Sequence, residues 1–154
     1  MNPYAKYLGE HDPHLIIRST AGRLRAAFAA MGAARAEAPW SPGKWSPRQV
    51  LCHLADTEIA FAFRLRQALA EPHHVIQPFD QDAWIRNAPA YDVASALNVF
   101  ESLREWNTRL VAQVPPETYS KPLTHPERGT MTFRTLVETM AGHDLNHLAQ
   151  IESV

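Results

Sequence analysis

The chain has 154 residues, 45% hydrophobic and 20% charged, with a formal net charge of −1 and a single cysteine, Cys52. That length accommodates one domain with a real core and is short for two, and the composition is that of a soluble globular protein. The charge balance excludes a general nucleic-acid binder with its basic footprint, the lone cysteine excludes an internal disulfide framework, and no run approaches the roughly 20 apolar residues of a membrane span.

Four segments carry helical periodicity, with prolines between them. The first runs from about Pro13 to Arg35, with Asp12 as its expected N-cap and Pro13 at the first helical position. Its apolar positions include Ile16, Ile17, Leu24, Ala27, Phe28 and Met31, and Glu37 to Lys44 reads as loop. The second helix has the clearest start signal. Ser46-Pro-Arg-Gln49 is a capping box with proline at its first turn, and the helix continues through Val50, Leu54, Phe61 and Leu65 to about Ala70.

The stretch from Glu71 to Tyr91 contains Pro72, Pro78 and Pro89. Connections longer than about 12–15 residues are uncommon and often functional; a short helical turn is expected near Gln81–Arg86. The third helix starts at its cap Asp92, presents Val93, Leu97, Phe100, Leu103, Leu110 and Val111, and ends at Val114 before Pro115-Pro116. A second loop, holding Pro122, Pro126 and Gly129, leads to Met131, and the fourth helix runs from about Thr132 to the chain end. The expectation is an all-α four-helix bundle with long irregular loops, one domain over residues 1–154. The loops are too proline-rich for strand alternation to compete. The N-terminal Met1-Asn-Pro-Tyr-Ala-Lys-Tyr7 shows no apolar signal-peptide core, so a cytoplasmic location is expected.

The fourth helix carries an anomaly. At about 100° per residue, Phe133, Leu136, Met140, His143, His147, Gln150 and Ile151 share one face. Two imidazoles therefore interrupt an apolar stripe. Residues four apart on a helix have Cβ atoms roughly 5–6 Å apart, so both rings can converge on one ion. An unpartnered buried polar group costs on the order of 1–3 kcal/mol, so polar partners or a metal should meet them. Catalytic zinc usually takes three protein ligands and an open position. His53, early in the second helix beside Val50, Thr57, Ala60 and Phe61, is the best third ligand.

These residues make a pattern. Trp45-Ser-Pro-Arg-Gln-Val-Leu-Cys-His-Leu-Ala-Asp-Thr-Glu58, followed far along the chain by His143-Asp-Leu-Asn-His147-Leu-Ala-Gln-Ile151, resembles the DinB/YfiT-like superfamily. The resemblance spans about His14 to Ile151. It implies a four-helix bundle whose metal is bound by one histidine of the second helix and two of the last: here His53, His143 and His147. It also implies a homodimer and a metal-dependent transferase that joins a low-molecular-weight thiol to a small electrophile. Other family members carry a hydrolase label or have no known activity, so hydrolysis and non-catalytic metal or small-molecule binding are the alternatives.

Three neutral imidazoles leave the metal's charge uncompensated and a position open, which lowers the pKa of a bound water or thiol. Zinc or nickel suits such ligands, with iron or manganese as further choices. Around the triad, Gln150 can bond a metal-bound water, Asp56 can orient His53, and Arg64 can meet an anionic substrate group. Asp144 reads as a cap or a solvated charge, and Glu58 as partly buried and paired with an arginine. His73, His74 and His125 read as solvated loop residues, and Cys52, Trp40 and Trp45 as packing residues. His143-Asp-Leu-Asn-His147 lacks the glutamate of the metalloprotease helix, so a protease is not expected.

Overall fold

Each long helix begins where its cap is written in the sequence. The computed structural model describes residues 1–153. A short helix, α1 (Ala5–Leu8), precedes α2 (Pro13–Met31), whose N-cap Asp12 accepts a hydrogen bond from the His14 amide. Gly32, at φ 76°, breaks the expected first helix, and α3 (Ala33–Glu37) follows. The break lets Ala36 fold back into the core, where a continuous helix would carry it past. In α4 (Pro47–Ala70) both halves of the Ser46–Gln49 capping box form. After α5 (Gln81–Trp84) and a 3₁₀ turn at Ile85–Ala90, α6 (Val93–Ala112) starts from a reciprocal Asp92–Ser95 cap. The last helix, α7 (Phe133–Glu152), is capped by Thr132. The final residue of the expected fourth helix and of the 1–154 domain lies outside the described residues.

The four long helices form the bundle. α2 packs on α6 and α7, and α4 packs on the same two, so α2 and α4 lie across a diagonal. Leu24, Leu51, Leu54, Phe100 and Leu148 fill one part of the core, and Ile17, Leu65, Phe133, Leu136 and Met140 another. Burying each such side chain contributes roughly 1.5–3 kcal/mol. Among the described residues no helix is long and apolar enough to cross a membrane.

The loops are more ordered than expected. β1 (His74–Val75) pairs in parallel with β2 (Pro122–His125), which pairs antiparallel with β3 (Gly129–Thr132). Strands of two to four residues are too short to display a period, and the parallel pair joins two loops distant in sequence. The sheet buries Leu123, His125 and Met131 against the bundle and fixes the turn at residues 126–128 near the triad end of α4.

Asp144 is neither a cap nor solvated. It is almost fully buried and pairs with Arg104 of α6, which also makes two bonds to Glu58 of α4. Arg104 donates to the Ile17 carbonyl of α2 as well (3.1 Å), while Thr20 donates to Asp144 (2.8 Å) and Asn107 to Glu58 (2.8 Å). One guanidinium thus bonds to each of the other three bundle helices. Burial works against its charge, but Asp144 and Glu58 outweigh it and raise its pKa above the ordinary arginine value. Burial raises the Asp144 pKa and Arg104 opposes that shift.

Candidate metal centre

Two neighbouring helices carry the triad. His53 lies on the second turn of α4, and His143 and His147 lie one turn apart on α7. All three are buried, at 3%, 4% and 7% exposure. Each offers a ring nitrogen, and these atoms lie within 4.8 Å of one another. The rings form a tight triangle, with centroids 5.1 Å (His53–His143), 4.9 Å (His53–His147) and 4.5 Å (His143–His147) apart.

The donor set fits a divalent metal. His53 Nε2 lies 3.0 Å from His143 Nε2. Two nitrogens bound to one tetrahedral zinc at about 2.0–2.1 Å sit about 3.3 Å apart, so a shift of a few tenths of an ångström admits the ion. The rings are also held neutral, as ligands must be. Burial, reinforced by His147, lowers the His53 pKa to about 3. Burial and then the other two histidines lower His143 well below its ordinary value. Burial lowers His147, partly offset by its bond to Gln150.

Gln150 bonds directly to one ring of the triad. Its Oε1 accepts a hydrogen bond from His147 Nδ1–H at 2.8 Å. That bond fixes the tautomer and leaves His147 Nε2 with its lone pair free, the usual outer support of a metal-binding histidine. Among the described residues Asp56 forms no hydrogen bond with His53; it lies half-buried in a groove between α4 and α6 with Cys52 and Val99. Thr57 is nearer, its Oγ1 3.5 Å from His53 Nε2. An aspartate three residues after His53 is only about 60° round the helix from it, but on the side that borders the neighbouring groove.

Two cavities flank the triad. One, of about 290 Å³, reaches His53 and His143 and is lined also by Tyr4, Thr57, Phe61, Arg64, Phe79, His125, Glu127 and Arg128. The other, of about 350 Å³, reaches His147 and Gln150 between Trp40, Lys44, Trp45 and Asn146. Tyr4 lines both, its ring edge-on to His143 at 5.2 Å, and Trp45 packs 5.1 Å from His53. Trp40 and Trp45 are therefore cavity walls as well as packing residues.

Arg64 faces the first cavity, donating to the Gln77 carbonyl (3.1 Å) and lying over Phe79. His125, expected to be solvated, is buried and lines the same cavity. His74 is buried too, but in β1, with Nδ1–H donating to Glu71 at 2.7 Å; exposed His73 meets Thr124. Neither lines a triad cavity. Cys52 is a buried packing residue. Sequence reading missed Tyr4, Arg104 and Arg128. Gly142 signals Tyr4's place: a Cβ there would lie 2.7 Å from the Tyr4 carbonyl oxygen, so only glycine lets the N-terminal segment rest on α7.

Fold and site together define a four-helix bundle with a buried three-imidazole centre able to hold a metal ion. The chain belongs to the DinB superfamily, whose sequence profile matches residues 16–151. A relative from Oceanobacillus iheyensis named "Putative metal-dependent hydrolase" is 32% identical over 116 residues, 73% of this chain and 66%, just under two thirds, of the relative. The Bacillus subtilis protein YfiT, with the same printed description, is 24% identical over 139 residues, 88% of this chain and 78% of YfiT. The solved structure of YfiT, described as a probable metal-dependent hydrolase with an unusual four-helix bundle topology, superposes with a TM-score of 0.85 at 23% identity. That match covers 92% of this chain and 82% of YfiT's. TT2238, described as a four-helix bundle protein, gives a TM-score of 0.67 at 19% identity, over 98% of this chain and 99% of its own. These likenesses establish the bundle.

Proposed function

We propose that the chain is a metal-dependent enzyme that transfers a small thiol to a small electrophile. The observation that carries this reading is the pair of cavities meeting at one triad. Hydrolysis needs one organic substrate and a water; transfer needs two organic substrates brought to the same atoms. The first cavity is polar and bears two arginines, which suits an acidic thiol. The second sets the indole walls of Trp40 and Trp45 beside Lys44, Asn146 and Gln150, which suits a flat electrophile bearing polar groups.

His53, His143 and His147 would hold the ion, with zinc or nickel as the proposed metal. Bound there, a divalent ion acidifies a coordinated thiol or water. The protein's own part is positioning. Gln150 fixes the His147 ring, Phe61 and Tyr4 shield the triad from bulk water, and the two cavities set the approach of the reactants. Overall, the S–H bond and the bond from carbon to the leaving group break, a sulfur–carbon bond forms, the leaving group departs as an anion and the proton passes to solvent.

The relatives' names favour a second reading, hydrolysis at the same centre. One experiment separates the two. Zinc- or nickel-loaded protein is incubated with a panel of thiols and a chlorinated aromatic, and in parallel with activated esters. Thioether formation that needs the metal and disappears in His53→Ala is the expected result. Metal-dependent ester cleavage without thioether formation from any thiol contradicts transfer and supports hydrolysis.

A further inference from the structure

The first cavity carries a charge arrangement that the triad does not explain. Arg64 arrives from α4 and Arg128 from the turn between β2 and β3, and both line the same 290 Å³ space beside His53 and His143. Among the described residues neither forms an ion pair, as is also true of Arg18, Arg35, Arg66, Arg86 and Arg134; what sets Arg64 and Arg128 apart is that both line one cavity. Arg64 is only partly exposed, and it uses one Nη2 bond, to the Gln77 carbonyl, leaving other donors free. Its guanidinium is steadied over the Phe79 ring. Burial and the charge of Arg128 both push its pKa down, the direction that an anion between the two guanidinium groups would oppose.

A third donor stands beside them. His125 Nδ1 accepts a bond from the Glu127 amide at 3.2 Å, which leaves the proton of the neutral ring on Nε2. Burial and the two arginines keep this ring neutral. Glu127 is the one acid among the lining residues and does not cancel two guanidinium groups.

We propose that Arg64 and Arg128 form an oxyanion subsite, which takes the carboxylate or phosphate of a small substrate whose other end reaches the histidine triad. Guanidinium groups match both anions through paired N–H donors. The proposal deepens the transferase reading and rests on it only for the nature of the reacting end. Spacing sets the ligand's length. Eleven residues along α4 separate His53 from Arg64, about 16 Å of helix rise, and helical side chains lean back toward the N-terminus. The anion is therefore separated from the reacting end by several bonds, though by less than that rise. The cavity volume, at the low end of small-molecule sites, excludes a polypeptide and suits a short acidic chain.

The test measures binding to zinc-loaded protein by calorimetry, with 6-mercaptohexanoate, its neutral amide, 6-mercaptohexyl phosphate and thiol-free hexanoate as probes. Arg64→Met and Arg128→Gln are compared at unchanged metal content. The expected result is that an acid probe binds about tenfold or more tightly than the amide, and that both substitutions erase the margin. The stronger of carboxylate and phosphate identifies the anion. Equal binding of acids and amide, or a margin that survives both substitutions, overturns the subsite. Hexanoate separates the two layers of the claim. Arginine-dependent hexanoate binding with no gain from the thiol keeps the subsite and removes the thiol reading.

Discussion

His53 Nε2 stands 3.0 Å from His143 Nε2, joining α4 to α7 at the buried end of the first cavity. Without a metal, two ring nitrogens at that distance share a single proton, one donating and one accepting. With a cation between them, both lone pairs are used. The same geometry therefore holds the helices together in either state, and it governs how the protein responds to acid, to metal and to substitution nearby.

Acid should destabilise the metal-free fold. All three imidazoles are held below the ordinary histidine value of 6.5, His53 at about 3. The unfolded chain takes up protons as pH falls through about 6.5, and the folded triad does not. The triad's contribution is thus fully present above that value and is lost progressively as pH falls toward about 3. Urea midpoints of metal-free protein are expected to drop between about pH 7 and pH 5, and to drop less in His143→Leu. Equal pH dependence in the two proteins would contradict the assignment.

Gln150 should act through His147. Gln150→Leu removes the acceptor of the 2.8 Å bond to Nδ1 and frees the ring to rotate or change tautomer. Zinc affinity is expected to weaken by about 10–100-fold, with Gln150→Glu restoring most of it because the acceptor returns. Competition titration against a chromophoric chelator reads both. Unchanged affinity in the leucine variant would show that Gln150 does not support the ring.

Arg104 should matter for stability more than for chemistry. Arg104→Met leaves Glu58 and Asp144 buried without their shared cation. Breaking a buried pair from one side costs about 3–5 kcal/mol, read by urea unfolding. Adding Glu58→Gln and Asp144→Asn should recover part of that loss, as a coupled network requires. A loss in the triple variant equal to or larger than in the single one would mean that the charges are not coupled.

Gly142→Ala should lift the N-terminal segment off α7. The new Cβ would meet the Tyr4 carbonyl oxygen at 2.7 Å and the Tyr4 Cβ at 2.8 Å, atoms that no rotamer change can move. Overpacking of this kind costs about 1–3 kcal/mol. Amide hydrogen exchange in α1 is expected to rise, with the α4 and α6 amides unaffected. Unaltered exchange at residues 5–9 would show that Tyr4 is not seated by this contact.

The bundle was legible because its start signals are local. The Ser46–Gln49 box, Asp12, Asp92 and Thr132 each sit within three residues of the amide they cap. The triad was legible because two polar rings on an apolar stripe demand a shared explanation, and His53 lies on the matching face. What escaped the sequence depends on contacts between distant segments. The β1–β2 pair, the Tyr4–Gly142 contact and the seat of Arg128 exist only once the bundle has closed. Asp144 was misread because its neighbours along the helix say nothing of Arg104, which approaches from another helix.

His53, His143 and His147 are assigned together to one divalent ion. Elemental analysis of untagged protein, purified without added metal and then loaded with zinc, tests this assignment most directly. Stoichiometric binding is expected in the unaltered chain, with loss of tightly held metal in His53→Ala, His143→Ala and His147→Ala alike, each checked for helical content by circular dichroism. Metal content unchanged by His53→Ala or His147→Ala in a folded variant would contradict it.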